Sequence, residues 1–171
     1  MSNILAIETA TEACSAALLN KEGDKVNVYE RFQLAPREHT KLVLPMLDEV
    51  LTEAGVTLQD IDVVAFGRGP GAFTGLRIAA GIAQGVALSI DKPVIPVSTL
   101  AALALQVGLN DYQDEIIIAA LDARMEEVYW GQFVLVNEMV EPLTEERVSS
   151  AETMLASISN SACTGVGSAW D

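Results

Sequence analysis

The first third of the chain alternates short apolar runs with polar turns. Two apolar runs without a helical stripe, residues 3–8 and 14–19, flank the polar turn 9–13. Residues 25–32 then alternate polar and apolar side chains with a period of two. Tightly connected runs of this kind indicate hairpins, and the period of two indicates a strand with one exposed face. We therefore predict three strands, with a second turn over 20–24.

The first long helix is predicted from Arg37 to Gly55, because apolar residues recur there at steps of three and four. Gly55 stands where a helix often ends, and Pro45 is expected to bend the helix. Leu42 and Met46 form a second apolar row beside the main one. That row indicates either a fully buried helix or a second packing surface for another chain.

A second helix follows the near-continuous apolar strand 62–67 and the glycine-rich turn 67–75. We predict it over 74–90, with Thr74 as its N-cap. Gly81 and Gly85 are four residues apart and therefore share one face. Each costs about 1 kcal/mol relative to alanine in a helix. Close approach of another helix backbone would offset that cost.

The rest of the chain predicts a third helix and a second set of strands. The expected elements are a strand at 93–97, a helix at 98–107 capped by Ser98 or Thr99, strands at 115–121, 127–136 and 162–167, an irregular segment at 142–148, and a short helix to residue 158 capped by Ser149 or Ser150. This order predicts an α/β protein with two lobes, residues 1–99 and 100–171. An α/β lobe that ends on a strand and a glycine turn lacks its covering helix, so we expect truncation after Asp171, by design or by proteolysis.

Composition indicates a globular protein that repels nucleic acid. Half of the residues are hydrophobic, which excludes a disordered chain. Ten basic and twenty-four acidic residues give a formal net charge of -14. A field of that sign repels phosphate backbones, so we expect no direct binding of nucleic acid, although contact through a basic partner stays open.

The cysteines and the apolar runs indicate a cytoplasmic location. Cys14 and Cys163 lack the spacing of a zinc site or a redox pair and are predicted to be reduced thiols. Cys14 lies in an apolar run and is expected to be buried. The N-terminus does not resemble a signal peptide. The longest apolar segment, residues 76–90, is shorter than the roughly 20 residues of a spanning helix.

Two turns are candidates for phosphate chemistry. Gly69 and Gly71 precede a helix, where glycines let backbone amides approach an anion. No Gly-Lys-Ser/Thr follows them, so the alternative is a tight turn that packs the helix closely on the strand. Glu8, Thr9 and Thr11 end the first strand. They could hold metal and phosphate, or Glu8 could merely close the hairpin or bond Thr11.

His39 is the only histidine of the chain. It cannot form a zinc site with two distant cysteines. It could act as a general base, but the sequence contains no paired carboxylate, nucleophile elbow or Cys/His arrangement to support it. Packing at the helix start is the preferred interpretation. We therefore predict no catalytic residue, no metal and no cofactor.

Five segments occur in order along the chain: 4–11, 37–40, 67–77, 95–100 and 121–129. Together they closely resemble the bacterial TsaB family, also called YeaZ. The resemblance implies an actin-like ASKHA (ribonuclease H-like) α/β fold, with two lobes of mixed β-sheets flanked by helices. It also implies a role in forming threonylcarbamoyladenosine beside the tRNA anticodon. Family members are similar to TsaD, the catalytic subunit, and are expected to be its non-catalytic scaffold, with TsaE joining a larger complex.

The resemblance further implies which surface pairs with TsaD, or with a second copy of the chain when TsaD is missing. Its residues come from the first two long helices: His39, Leu42, Val43, Met46, Leu76, Arg77, Ile78, Gly81, Gln84 and Gly85. A vestigial nucleotide loop is then formed by Glu8, Thr9, Thr11, Gly69 and Gly71. The metal-binding His-x-x-x-His of the catalytic relative is replaced by Thr99 and Leu103, which implies that the metal site is absent.

Two other classes of function stay open at this point. One is an enzyme of the same superfamily, either an ATP-dependent phosphotransferase or a peptidase. The other is a purely homodimeric regulator, which predicts the same helix surface and differs in whether TsaD displaces the second copy.

Overall fold

The computed structural model describes residues 2–108, 116–158 and 163–170. The chain divides into two compact units, Met1–Val97 and Ser98–Asp171. The boundary predicted from the sequence lies two residues later. Glu115 and Ala162, which it assigns to strands, lie outside the described residues.

The first unit is a five-stranded sheet with two α-helices. Its elements are β1 (Ser2–Glu8), β2 (Ala13–Glu22), β3 (Lys25–Leu34), α1 (His39–Ala54), a 3-10 helix (Leu58–Asp60), β4 (Val63–Gly69), α2 (Phe73–Ser89) and β5 (Val94–Ser98), which crosses the boundary. The strand order is β3-β2-β1-β4-β5, with β1 antiparallel to β2 and parallel to β4. The first strands, the hairpins and the helices thus follow the predicted order.

Alternation along the strands decides which face of this sheet is covered. Leu5 and Ile7 of β1 and Leu18 of β2 are buried in one cluster with apolar residues of α1 and α2. Both helices therefore lie on the same face. Strand β3 alternates as predicted, but its apolar row, which includes Phe32 and Leu34, lies exposed on the opposite face, while Tyr29 of the other row packs against the cluster.

The end of α1 was predicted correctly, and the start of α2 was not. Helix α1 ends at Ala54, and Gly55 adopts the left-handed conformation with φ 69° and donates its N–H to Thr52 O, as predicted. The prediction that Thr74 caps α2 is wrong. The helix begins one residue earlier, because Ala72 O already accepts the N–H of Leu76 at 3.0 Å and Ala72 is the N-cap.

The second unit is another five-stranded sheet, with two α-helices. Its elements are α3 (Thr99–Gly108), β6 (Ile116–Arg124), β7 (Glu127–Val136), β8 (Met139–Pro142), β9 (Arg147–Ser150), α4 (Ala151–Ser157), β10 (Cys163–Val166) and a 3-10 helix (Ser168–Trp170). The order is β10-β6-β7-β8, with β9 also paired to β7. Strand β10 is parallel to β6, and β7 is antiparallel to β6, β8 and β9. Both sheets are therefore mixed, as predicted.

Short elements of the second unit were predicted less well. The segment 142–148 is not irregular throughout, because Arg147 begins β9, which is held by pairing with β7 rather than by a pattern of its own. The structure decides between the two candidate N-caps of α3 and between those of α4. Ser98 Oγ accepts the N–H of Ala101 at 3.1 Å, and Ser150 Oγ accepts that of Thr153 at 3.2 Å. Among the described residues, no helix has the length and apolar character needed to span a membrane.

Candidate functional site

The glycine-rich turn packs directly on the turn that follows β1. The N–H of Ala72 donates to Ala10 O at 2.6 Å, and Thr9 Oγ1 donates to Gly75 O at 2.7 Å. A Cβ added to Gly71 would overlap Ala10, and one added to Gly75 would overlap Thr9 O. These glycines therefore allow two segments of backbone to touch, which is the packing alternative of the sequence analysis.

Glu8 closes the hairpin at the same place. Its Oε1 accepts the N–H of Ala10 at 2.6 Å, and its carboxylate lies against Gly67, where any Cβ would overlap it. Thr11 Oγ1 accepts the N–H of Ala13 at 3.2 Å. The structure thus packs the two turns that carry the predicted nucleotide-loop residues against each other, and the side chains of Glu8, Thr9 and Thr11 bond to backbone groups of these turns. The Ala72 amide, which a phosphate cradle would use, is bonded to a carbonyl instead.

His39 joins the start of α1 to this turn. Its Nε2–H donates to Thr11 O at 3.0 Å and to Ala13 O at 3.2 Å. Both partners are carbonyl oxygens, so this nitrogen carries the proton. The side chain is buried. The prediction that His39 lies on the partner surface is therefore wrong, because its buried ring is held by the carbonyl oxygens of Thr11 and Ala13.

The second apolar row of α1 belongs to the core. Val43 and Met46 are buried in the cluster beneath the sheet, and half-buried Leu42 packs against it. The prediction that Val43 and Met46 form an exposed partner surface is wrong, because β2 and β3 together cover a wide stripe of this helix. Leu44 is the large apolar residue that α1 does expose, and it was not among the predicted partner-surface residues.

Helix α2 carries an exposed row of residues that includes two glycines. Arg77, Gly81, Gln84 and Gly85 are exposed. A Cβ added to Gly81 or Gly85 would meet no atom within 4 Å. The opposite face of the helix is formed by buried alanines, and Leu76 and Ile78 at its margin are half-buried.

Two large apolar residues lie near the ends of this row. Phe73 and Leu88 are 66% and 85% exposed. The guanidinium of Arg77 lies over the Phe73 ring, 3.6 Å from its centroid, in a cation–π contact. Neither apolar residue was predicted as part of the site. Their spacing from Gly81 and Gly85 by three, four or multiples of four would have placed them on the same face.

The positions that correspond to the metal ligands of the catalytic relative have another role here. Thr99 is buried at the start of α3, and half-buried Leu103 packs against the core of the second unit. Within residues 2–108, 116–158 and 163–170, no three His, Cys, Asp or Glu side chains lie together as a metal site would require.

Comparison with known proteins identifies the family. The family described as "TsaD: tRNA N6-adenosine threonylcarbamoyltransferase" matches residues 33–165. The "tRNA threonylcarbamoyladenosine biosynthesis protein TsaB" of Haemophilus influenzae is 45% identical over 98% of this chain and 72% of its own length. The protein of the same name from Escherichia coli is 52% identical over 76% of this chain and 54% of its own length. This chain therefore spans between about half and three quarters of these relatives.

A solved structure agrees with the sequence comparison. The structure "YeaZ from Pseudomonas aeruginosa" is 42% identical and superposes with a TM-score of 0.90 over 99% of this chain and 78% of that one. The two mixed sheets flanked by helices define an α/β protein with the fold of YeaZ, which confirms the predicted α/β class. The chain belongs to the TsaB family.

Proposed function

We propose that this protein takes part in threonylcarbamoyladenosine formation in tRNA as a non-catalytic scaffold, and that it pairs with TsaD through the exposed face of α2. The names of its TsaB relatives and the match to the TsaD family support the pathway. The observation that carries the pairing is the open row of Gly81 and Gly85 on a 17-residue helix.

The geometry of α2 favours a helix as the opposing surface. Two glycines one turn apart leave a shallow groove in which another helix backbone can approach closely. Phe73 and Leu88 provide apolar area on the same face, and large exposed apolar residues in one row are typical of interaction sites. The groove therefore allows close backbone contact, with one apolar anchor near each end of the row.

The turn beside α2 supports a role without phosphate chemistry. Its glycines contact Thr9 and Ala10, and the Ala72 amide donates to a carbonyl. Glu8 bonds the backbone of its own hairpin. We infer that the protein needs no ATP for its role. The charge of -14 further favours a partner that holds the tRNA.

Reconstitution of the modification tests this proposal. Purified TsaD and the other components should form threonylcarbamoyladenosine in a tRNA transcript when this protein is added, and much less when it is left out. Gly81→Leu should lower both TsaD affinity and product yield, because the side chain fills the groove. Thr52→Leu, on the exposed side of α1, is the matched control. Full modification without the protein would refute its role.

Calorimetric titration separates the scaffold from an enzyme. The scaffold predicts no heat of binding on addition of Mg-ATP and strong heat on addition of TsaD. Tight Mg-ATP binding with turnover of a small hydroxyl substrate would instead establish the phosphotransferase alternative.

A further inference from the structure

The first sheet carries exposed apolar residues on the side that faces away from α1 and α2. Four of them alternate along β3 and are between 50% and 72% exposed: Val26, Val28, Phe32 and Leu34. Ile95 and Val97 of β5, at the other edge of the sheet, are exposed as well. Because Val94 packs against the helix-covered core, alternation places Ile95 and Val97 on the same side as the β3 row. This side of the sheet is called the outer face below.

The polarity of β3 is the reverse of that of a strand with one face in water. Its other row lies on the side of the helices and holds polar residues, among them Arg31, whose Nε donates to Glu49 of α1 at 2.7 Å. A strand of an antiparallel sheet ordinarily exposes its polar row and covers its apolar one. The sheet also contains the parallel pair β1 and β4, and parallel strands are usually covered on both faces. Both observations indicate that the outer face is an interaction surface.

The middle of the outer face is a trough of small side chains. Ala17 of β2, Ala6 of β1 and Ala65 of β4 are partners in register, so they lie in one line across three strands. The large apolar side chains of β3 stand beside this line at the edge of the sheet. A face that has both a projecting apolar row and an apolar trough is complementary to itself, because a two-fold axis sets each row against the trough of the other copy.

The charges of the outer face also favour a second copy of the chain. Among the described strand residues on this face, the exposed charged side chains are Lys21 and Glu30, one of each sign. The chain as a whole has a net charge of -14, so this face lacks the acidic excess of the rest. A basic partner would find few carboxylates to pair with here, whereas two copies meet without net charge at the contact.

The exposed area suits a reversible dimer. The exposed fractions of the six apolar residues correspond to about 600 Å² per copy, at roughly 150–200 Å² for a free side chain of this kind. The half-buried residues of the trough add to this area. The contact thus approaches the ~800 Å² that each partner of a stable complex buries. At this lower end of the range, dimer and monomer should exchange at micromolar concentration.

We propose that a second copy of this chain packs on the outer face, so that two copies form a sandwich of sheets about a two-fold axis. The β3 row of each copy then lies against the alanine trough of the other, and both are removed from water. Helices α1 and α2 cover the opposite face of the sheet. The dimer therefore leaves the glycine row of α2 free, and it does not depend on the proposed function.

Sedimentation velocity over a wide range of concentration tests the dimer with two matched variants. Phe32→Ser/Leu34→Ser should raise the dimer dissociation constant by about tenfold or more, as loss of central apolar anchors does. Phe73→Ser/Leu88→Ser removes the same two residue types from α2, where they are 66% and 85% exposed, and should leave the dimer unchanged. Val28→Thr, which nearly conserves volume, should weaken the dimer in the same direction as the β3 pair. Far-UV circular dichroism should show that each variant remains folded.

Salt and TsaD provide two further readouts. Added salt should strengthen the dimer, because it screens the repulsion between two acidic chains and leaves the apolar contact in place. Phe32→Ser/Leu34→Ser should bind TsaD as tightly as the unchanged protein does. An unchanged protein that is monomeric at every concentration would overturn the inference, and so would a dimer that the α2 variant abolishes and the β3 variant spares. Loss of TsaD binding in the β3 variant, without a change in the dimer, would assign the outer face to TsaD and overturn it as well.

Discussion

Replacing Gly81 and Gly85 by alanine should raise the stability of the isolated protein and lower its affinity for TsaD. Alanine at each position adds one methyl group to the exposed face of α2, where no atom lies within 4 Å. In the isolated chain, the only sizeable effect is on helix propensity. In the pair, the same methyl groups hold the opposing helix away.

The expected magnitude follows from the helix. Each glycine costs about 1 kcal/mol relative to alanine in a helix interior, so the double variant should gain about 2 kcal/mol in free energy of unfolding. For a chain of this size, that gain raises the melting temperature by about 4–8 °C. Affinity for TsaD should fall by about tenfold or more, as expected when the centre of an interface is altered.

Gly75→Ala is the control on the same helix. Its Cβ would overlap Thr9 O, so the same chemical change should destabilise the fold, by about 1–3 kcal/mol if the backbone shifts to accept it. Replacement of glycine by alanine should therefore stabilise the fold at Gly81 and Gly85 and destabilise it at Gly75.

Urea unfolding followed by circular dichroism measures the stability change. The protein concentration must be one at which sedimentation velocity shows monomer, because self-association would stabilise the unchanged protein alone. Surface binding to TsaD gives the affinity. A double variant that is less stable as a monomer, or that binds TsaD as tightly as the unchanged protein, would contradict the assignment of this face.

Three further predictions concern single sites. Glu126→Gly, in the turn between β6 and β7, should raise the free energy of unfolding by about 1 kcal/mol, because glycine accepts the positive φ of this position, and a thermal melt showing a loss would argue against strain in this turn. An aromatic disulfide reagent should modify one thiol per native chain, exposed Cys163, since burial raises the pKa of Cys14; two rapidly reacting thiols would contradict the burial. The backbone and side-chain hydrogen bonds from Thr57 lower the pKa of Asp60 below its ordinary 3.8, so this carboxylate stabilises the fold above that pH and loses the contribution as pH falls further. In unfolding measured at decreasing pH, the difference in free energy of unfolding between the unchanged protein and Asp60→Asn should therefore shrink below that pH. A difference that stays constant with pH would be evidence against the hydrogen bonds from Thr57.

Much of the fold was predictable because local patterns and tertiary structure agree. Helix α1 ends at the glycine that the sequence marks, and the hairpin of β1 and β2 forms between two apolar runs. Strand β9 escaped prediction because four residues are too few for a period to emerge, and pairing with β7 alone holds them extended.

The candidate site was predicted only in part. Gly81 and Gly85 were found because a helix repeats every 3.6 residues, and that spacing alone places them on one face. The prediction wrongly placed three buried residues of α1 on the partner surface: His39, Val43 and Met46. A sequence shows which residues are apolar or polar, but it does not show how wide a stripe of the helix the sheet covers.

The sequence by itself determined the alternation of elements, the row of glycines on α2 and the excess of acidic charge, since each depends on local spacing or on composition. Only the tertiary structure decided that Gly71 and Gly75 serve contact with Thr9 and Ala10 rather than a phosphate. That contact joins segments more than 60 residues apart in the chain. It arises when β1 and β4 pair in parallel and end side by side, and no local pattern records which segment will lie opposite a turn.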